Sequence, residues 1–507
     1  MLFNSFNFIL IFLPITIIGW YALNHFKLYK TAELFITAMS FIFYGLFSVK
    51  FLAVLIFSIV GSYLISILVK ISKLKASFLI TISVIFHLFI LFLFKYYDFF
   101  AESVNSLFGS TIPLYTLLMP IGISFYTFQQ LSFLIDRCKG EAPAYSFLDY
   151  TCYVAFFPKL IEGPIARHDE IIPQFNDVSK RRFDSDGFSR GICMFIMGLG
   201  KKVLLADTLS LVTSYGFEQT YYLDTITVIL VMLAYTFEIY FDFSGYCDMA
   251  CGISKMLGID LPINFNSPYK AYTVKNLWKR WHITLTRFFV KYLYIPLGGN
   301  RRGKLITVAN VLLVFILSGL WHGAGWTYIC WGLMQGLLVV WDDLGIVVVK
   351  DENGNVPSSH EFLLRDKPLL AVPNFIGHIF TFGTFVISLI FFRSEDMAHA
   401  FGMFRRLFYF TWPGFLYRAS SKLDVAETYV FGEAIGIAAP SLTNAFYLVV
   451  LVLLILVSFF IITRKNTMEI ALSPKALTKG RAIFLAIIFI WSFMSLSNVS
   501  TFIYFKY

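Results

Sequence analysis

The chain has 507 residues and a formal net charge of +10, with 58% apolar, 19% aromatic and only 14% charged residues. Soluble domains carry about 25% charged residues, and a mean hydropathy of +0.72 is too high for a water-soluble globule. The composition therefore excludes a soluble enzyme, a disordered chain and a disulfide scaffold, and it indicates a polytopic helical membrane protein.

The first elements in chain order are four apolar runs long enough to cross a membrane, residues 7–24, 32–49, 51–69 and 77–99. The loops after the first and third runs are rich in lysine, which the positive-inside rule assigns to the cytoplasm. These lysines are Lys27, Lys30, Lys70, Lys73 and Lys75. The N-terminus is then predicted to lie outside.

Residues 110–345 behave differently, because their apolar runs are interrupted by proline, glycine and charge. Examples are Pro120–Gly122, Phe157–Lys159, Gly163–Pro164, Gly198–Lys202 and Ser244–Gly245. Broken helices at membrane depth persist only where they are buried in protein or line a wet cavity. This region is therefore the predicted catalytic core.

The C-terminal part, 346–507, begins with a polar loop at 346–370 and returns to plain apolar runs at 371–393, 443–463 and 481–500. The mixed stretch 396–440 is predicted to be interfacial or re-entrant. Basic residues before the last run, Arg464, Lys465, Lys475, Lys479 and Arg481, predict a cytoplasmic loop and an outside C-terminus. With 1–109 as N-terminal spans, the chain is one all-α domain of about 11–12 spans.

The distribution of basic residues along the chain indicates whether the protein binds nucleic acid. Because the basic residues lie in short loops between apolar runs, membrane topology explains them better than nucleic-acid binding does, and no nucleic-acid partner is expected. None of the six cysteines has zinc-finger spacing, and no H-E-x-x-H motif occurs, so no metal site is expected. The phosphate-binding motif of ATPases is also missing from the sequence.

Polar residues inside apolar runs are costly and mark candidate sites. Asp242 and Ser244 follow the run 226–241, and two interpretations are equally open. One is a helix N-terminus capped by either side chain. The other is a helix break that lines a cavity.

A second cluster combines tryptophans, cations and a histidine: Asn276, Trp278, Lys279, Arg280, Trp281 and His282. Its spacing favours an amphipathic helix at the membrane interface, with a tryptophan belt and snorkelling cations. Binding of a ligand is the alternative. Arg301 and Arg302 follow two glycines in a basic loop, which is weak support for phosphate binding.

The third cluster is Trp321-His322 in glycine-rich surroundings between two apolar runs. A buried histidine satisfied by a carbonyl group is one interpretation. The glycines favour a site, since small residues let a ligand or another backbone approach closely. Imidazole titrates near neutral pH, so His322 is a candidate general base for direct acyl transfer.

Five ordered motifs resemble the membrane-bound O-acyltransferase family, most closely its alginate O-acetylation branch. They are Asp242-Phe-Ser-Gly-Tyr-Cys-Asp248, Asn264-Phe-Asn-Ser-Pro-Tyr269, Trp278-Lys-Arg-Trp-His282, Tyr294-Ile-Pro-Leu-Gly-Gly-Asn300 and Leu320-Trp-His-Gly-Ala324. Pro120–Tyr126 and Phe156–Arg167 also resemble that branch. The resemblance implies a ring of tilted helices around a tunnel, with His322 as the essential histidine and His282 as the second polar site. Cys247 stands where Ser is expected, and Lys279 where Arg is expected.

The resemblance further implies a function. An acetyl group would pass from a cytosolic thioester such as acetyl-CoA, a substrate rather than a bound cofactor, to the outside of a bacterial cytoplasmic membrane. An outer esterase-like acetyltransferase of the SGNH type would then deliver it to a polysaccharide hydroxyl. The alternatives are a secondary transporter or flippase, or an acyltransferase acting on peptidoglycan, cellulose or teichoic acid.

Candidate substrate-binding residues are Asp242, Ser244, Asn276, Trp278, Lys279, Arg280, Trp281, Arg301, Arg302 and Trp321. The tail Phe502–Tyr507 resembles the C-terminus of small partner peptides of teichoic-acid D-alanylation. That similarity implies that Tyr504 receives the acyl group and passes it on, because a deprotonated phenol is a nucleophile. An aromatic membrane anchor is the alternative.

Overall fold

The N-terminal part of the computed structural model consists of helices. The structure describes residues 1–71, 74–351, 353–355, 363, 368–473, 478–498 and 502. The first elements are a π-helical turn Phe8–Phe12, α1 Leu13–His25, α2 Tyr29–Gly45, α3 Val49–Ile71, α4 Ala76–Leu91, a π turn Phe92–Tyr96 and α5 Tyr97–Phe108. Each of the four predicted apolar runs is helical, and the fourth continues through the π turn into α5.

The core contains short helices and long ones. Its elements are α6 Ile123–Cys138, α7 Phe147–Ala155, α8 Phe157–Leu160, α9 His168–Asn176, α10 Ser185–Gly200, a π turn Lys201–Ala206, α11 Asp207–Glu218, a 3-10 turn Thr220–Tyr222, α12 Thr225–Met256, a 3-10 turn Pro268–Lys270, α13 Val274–Arg280, α14 Ile283–Phe289, a π turn Val290–Tyr294, α15 Lys304–His322 and α16 Trp326–Asp343. The predicted breaks near residues 120 and 160 are present. The one predicted at Gly198–Lys202 is wrong, because the helix continues there as a π turn.

The C-terminal part comprises α17 Asn374–Arg393, α18 Met397–Arg406, α19 Gly414–Ser420, a 3-10 turn Ser421–Leu423, α20 Ala426–Ala438, a 3-10 turn Pro440–Leu442, α21 Thr443–Thr463, α22 Thr467–Ala471, α23 Lys479–Met494 and a 3-10 turn Ser495–Asn498. Two short parallel strands, β1 Val347–Val349 and β2 Leu370–Val372, pair Val347 with Leu370. The sequence did not predict this small sheet. The polar residues 356–360 and the basic Lys73 and Lys475 lie outside the described residues.

Seven of the described helical segments are long and apolar enough to cross a membrane. They are Phe8–His25, Val49–Ile71, Ala76–Phe108, Thr225–Met256, Lys304–His322, Asn374–Arg393 and Pro440–Thr463. The chain is therefore a multi-pass membrane protein, although a total of 11–12 spans stays a prediction. In α12, 78% of the most apolar window is buried, whereas no other span exceeds 39%, so α12 is the central helix.

The α12 helix runs without interruption through Asp242 and Ser244. Both predicted interpretations of this cluster, a helix start and a helix break, are therefore wrong. The glycine that suggested a break serves packing instead: a Cβ on Gly245 would lie 2.8 Å from the carbonyl oxygen of Gly198 on α10. A Cβ on Gly252 would likewise lie 2.6 Å from the Gly191 carbonyl oxygen, so the α10 and α12 backbones are in direct contact.

The α15 and α16 helices form a close hairpin with His322 at its bend. A Cβ added to Gly319 would lie 2.1 Å from the Tyr328 carbonyl oxygen, and one on Gly332 would lie 2.3 Å from the Phe315 carbonyl oxygen. The glycine-rich surroundings of His322 thus allow one helix to pack on the next. These glycines set the position of His322 through helix packing and do not provide space for a ligand.

Candidate active site

His322 is the last residue of α15 and is only 3% exposed. Aromatic rings surround its imidazole, with ring centroids at 4.8 Å for Trp321 and 5.3 Å for both Trp331 and Phe392. These rings come from α15, α16 and α17. The packing of three helices therefore holds the imidazole in an apolar setting.

The carbonyl groups at the end of α15 are satisfied by two neighbouring side chains of the π turn after α4. Lys95 Nζ donates to the carbonyl oxygens of Trp321 at 2.6 Å and His322 at 3.3 Å. Tyr96 Oη donates to the Leu320 carbonyl oxygen at 3.2 Å. A helix leaves its last carbonyls without internal partners, and a cation is favourable there. Lys95 therefore fixes the backbone that carries His322.

His282 lies where one helix ends and another begins. The predicted amphipathic interfacial helix is wrong, because α13 ends at Arg280 and α14 starts at Ile283. His282 joins them in the left-handed region, with φ of 45°, which is uncommon for a residue other than glycine. Trp278 and Trp281 are buried rather than placed in a membrane belt.

The orientation and tautomer of His282 are set by Asn264. The amide oxygen of Asn264 accepts from the backbone N–H of Thr284 at 3.3 Å and from its hydroxyl at 2.9 Å. It is therefore an acceptor, so Nδ1 of His282, 3.1 Å away, must donate to it. In the neutral ring Nε2 is then unprotonated, and it has no hydrogen-bond partner among the described residues.

The loop that carries Asn264 is pinned by charged residues where it leaves α12. Asp260 receives hydrogen bonds from Lys180 at 2.8 Å and Lys255 at 2.7 Å. Burial alone would raise the pKa of the Asp260 carboxyl, but these two lysines lower it below its ordinary value. The carboxylate stays ionised, and its ion pairs hold the start of the loop.

The two histidines and a cavity form the candidate active site. The imidazole centroids of His282 and His322 are 6.4 Å apart, and Trp321 contacts both rings. A small cavity of about 30 Å³ opens beside His322. Its lining comprises Lys95, Met119, Ile121, Gly122, Ile123, Ser124, Phe125, Ile161, Glu162, Trp321 and His322. A buried base next to such a cavity can deprotonate a bound hydroxyl group.

The other predicted polar residues lie away from this cavity, and several of them have partners elsewhere. Asp242 forms an ion pair with Lys202 at 2.6 Å, and Ser244 is buried on the same helix. Trp278 Nε1 donates to Gln335 Oε1 at 3.3 Å, and Asn276 accepts from Arg280 at 2.9 Å. Of the predicted substrate-binding residues, only Trp321 lines the cavity.

The predicted phosphate-binding cations are also separate from the cavity. Lys279, Arg301 and Arg302 are exposed, and Arg280 is partly buried. A role in donor binding stays a prediction for all four. Within the described ranges, no group of three histidine, cysteine, aspartate or glutamate side chains is placed to hold a metal ion.

Sequence reasoning missed three residues of the site: Lys95, Glu162 and Asn264. A lysine inside the apolar run 77–99 was a usable signal, because a charge at membrane depth is costly. Asn264 stood in a recognised motif, but its bond to His282 depends on how the loop folds. Tyr504 lies outside the described residues, whereas Phe502 is described and fully buried.

We predict that replacing Asn264 changes stability according to the acceptor that remains. Asn264→Leu leaves the Thr284 N–H and the His282 Nδ1–H buried without an acceptor, at a cost of about 1–3 kcal/mol for each group. Asn264→Asp keeps an acceptor oxygen and should lose less. Thermal unfolding of the detergent-solubilised protein measures both, and equal melting temperatures for Asn264→Leu and the unchanged protein would contradict this assignment.

Known proteins similar to this chain match the region that contains the candidate active site. Residues 123–351, which hold both histidines and much of the cavity lining, match the membrane-bound O-acyltransferase family, MBOAT. The peptidoglycan O-acetyltransferase of Helicobacter pylori is 33% identical over 538 aligned positions, covering 100% of this chain and 98% of that protein.

Two further relatives carry different names. The probable alginate O-acetylase AlgI of Pseudomonas syringae pv. tomato is 38% identical, over 81% of this chain and 76% of its own. The teichoic acid D-alanyltransferase of Streptococcus thermophilus is 26% identical, over 55% and 69% respectively. With its buried histidine pair and an end-to-end match to an O-acetyltransferase, the chain belongs to the membrane-bound O-acyltransferase family and is an O-acyltransferase.

Proposed function

We propose that the protein transfers an acetyl group from a cytosolic acyl thioester, such as acetyl-CoA, to an acceptor at the outer side of a bacterial cytoplasmic membrane. The observation that carries this proposal is the cavity beside His322, within reach of a second buried histidine. In the reaction, the acceptor hydroxyl attacks the thioester carbonyl carbon. The carbon–sulfur bond breaks, an ester forms, and the hydroxyl proton passes to the thiolate.

His322 is assigned the role of general base, because it lines the cavity and its backbone is held by Lys95. His282 is assigned an orienting role. Its unprotonated Nε2 accepts hydrogen bonds but cannot donate one, which supports orienting a hydroxyl or an N–H group of His322 rather than the acyl carbonyl. Neither assignment requires a bound metal or cofactor.

Lys279, Arg280, Arg301 and Arg302 are the proposed contacts for the phosphates of the donor. Three of these side chains are exposed, which suits a cytosolic entrance as well as ordinary positive-inside anchoring. Removing one charge should raise the apparent KM for acetyl-CoA and leave the maximal rate nearly unchanged. If acetyl-CoA does not bind the purified protein, another acyl thioester is the donor.

For the acceptor, the glycan of peptidoglycan is proposed, reached through an outer esterase-like acetyltransferase of the SGNH type. The support is the end-to-end similarity to a protein named peptidoglycan O-acetyltransferase. An exopolysaccharide such as alginate is the second candidate, supported by 38% identity over 81% of the chain. Membership of an enzyme family favours both over a transporter or flippase.

Tyr504 is proposed as a transient acetyl carrier between His322 and the outer partner, with both termini outside. The support is the nearby Phe502, whose buried ring lies 4.4 Å from Lys202 Nζ and 4.9 Å from the ring of Tyr246 on α12. Two residues of chain span at most about 7 Å. A residue two positions before Tyr504 is thus anchored in the interior of the protein.

The first prediction concerns His322. His322→Ala should lower acetyl transfer about 100- to 10,000-fold, because it removes the general base. Transfer of labelled acetyl from acetyl-CoA to the outer glycan, in membrane vesicles that contain the partner enzyme, measures the effect. His25→Ala is the control, since His25 is exposed at the end of α1. Near-normal transfer by a well-expressed His322→Ala protein would defeat the assignment.

The second prediction concerns Tyr504. Tyr504→Phe keeps the ring and removes only the hydroxyl, so an aromatic anchor would survive it while an acyl carrier would not. We expect loss of glycan O-acetylation and of the labelled acetyl ester on the C-terminal peptide, both measured by mass spectrometry. Tyr507→Phe changes the same tail in the same way and should retain both signals. Wild-type acetylation in Tyr504→Phe would leave the tail as an anchor.

A further inference from the structure

Glu162 is a buried acid that forms no ion pair with the described residues. It lies between α8 and α9, is 1% exposed, and neither carboxyl oxygen has a hydrogen-bond partner among the described residues. Two buried acids on α12, by contrast, form ion pairs: Asp242 with Lys202 at 2.6 Å and Asp248 with Lys201 at 2.7 Å. A buried carboxyl group without a partner is unfavourable, so Glu162 calls for an explanation.

The nearby cations do not supply one, because Lys202, whose charge reaches Glu162, is already paired with Asp242 and Asp207. Lys159 lies three residues before Glu162, but its ammonium group donates to Gln129 and lies 4.4 Å from the centre of the Tyr153 ring. Lys95 Nζ binds the carbonyl oxygens at the end of α15. No ion pair within the described residues includes Glu162, so its burial has no structural compensation that we can identify.

Glu162 does, however, line the cavity beside His322. Its place there is fixed by close packing of the segment before α6. A Cβ on Gly122, which has φ of 74°, would lie 2.8 Å from the Leu160 carbonyl oxygen and 2.9 Å from Ile161 Cα. Tyr44 Oη also donates to the Ile121 carbonyl oxygen at 2.7 Å. The backbone is therefore built to hold this carboxyl group at the cavity wall.

The hydrogen-bonding properties of the Glu162 carboxyl group limit which ligand groups can be its partner. A carboxyl group accepts hydrogen bonds, and it also donates one when it is protonated. In the proposed reaction, the acetyl carbonyl can pair only with the protonated form, whereas the acceptor hydroxyl can pair with either form. The amide N–H groups of the donor, farther from its sulfur, are the rival partners.

The location of Glu162 favours the acceptor. Its carbonyl oxygen is 3.9 Å from Cys247 Sγ on α12. The next residue on that helix, Tyr246, contacts the ring of Phe502. Glu162 therefore lines the cavity and contacts the stretch of α12 against which the C-terminal segment packs. Under the proposed function, this is the side from which the acyl acceptor arrives.

We propose that Glu162 is an acceptor-binding residue, whose carboxyl group hydrogen-bonds the hydroxyl that receives the acyl group and holds its oxygen beside His322. This inference rests on the proposed function. His322 takes the hydroxyl proton and delivers it to the departing sulfur, so Glu162 gains and loses no atoms in the step. Its part is to select and position a hydroxyl-bearing acceptor, a tyrosine phenol or another alcohol.

The test uses the purified full-length protein and acetyl-CoA, and follows labelled acetyl transferred onto the chain. Glu162→Met removes the hydrogen bonds and should lower the maximal transfer rate about tenfold or more, with an unchanged apparent KM for acetyl-CoA. Glu162→Gln, whose amide still forms hydrogen bonds, should stay within about tenfold of the unchanged protein. The melting temperature of both variants should be equal or higher, because an unpartnered acid contributes nothing to folding.

Matched controls are Glu238→Gln and Glu238→Met, which alter a buried acid on α12 away from the cavity and should retain the transfer rate of the folded protein. A wild-type rate in Glu162→Met would overturn the inference, and so would a lower melting temperature that accounts for the lost activity. A raised KM for acetyl-CoA would assign Glu162 to the donor. No labelling of the unchanged protein, with glycan O-acetylation unaffected by deleting the gene, would instead refute the proposed function.

Discussion

A helix that ends inside a membrane protein leaves carbonyl groups that water cannot reach, and α15 ends in this way at His322. The protein satisfies these groups with Lys95 and Tyr96, two adjacent side chains of a π turn. The cost of leaving them unpaired is high at membrane depth, so this contact couples α4 to α15. The position of His322 and part of the cavity wall depend on that coupling.

The orientation of the second histidine, His282, is set by a cluster of hydrogen-bonded polar side chains inside an otherwise apolar interior. Asn264 receives hydrogen bonds from Thr284 and His282, and Thr284 Oγ1 in turn accepts from the backbone N–H of Ile165 at 3.0 Å. The cluster joins the loop after α12, α14 and the segment that carries Glu162. Buried polar networks are stable only when their members are satisfied. His282 Nε2 and the two Glu162 carboxyl oxygens, which have no hydrogen-bond partner among the described residues, lie in the candidate site.

Much of this architecture could be predicted from the sequence, because long apolar runs and buried histidines are local signals. The helices of the four N-terminal apolar runs were predicted in this way, the family was predicted from five ordered motifs, and the role of His322 stays a prediction. The failures share one cause, which is contact between distant segments. Gly245 suggested a helix break, yet it packs against Gly198. Regular spacing around His282 suggested one helix, yet Asn264 holds a break there. Asp242 suggested a substrate site, yet Lys202 neutralises it.

The central claim is that acyl transfer takes place in the cavity lined by His322 and Glu162. The most direct measurement is a cryo-electron microscopy structure of the protein with a non-hydrolysable acetyl-CoA analogue. The account predicts that the acetyl carbonyl carbon lies in this cavity, with room for a hydroxyl oxygen about 3–4 Å from both that carbon and the His322 ring. An analogue bound with its acetyl group outside the cavity, while the cavity stays empty, would contradict it.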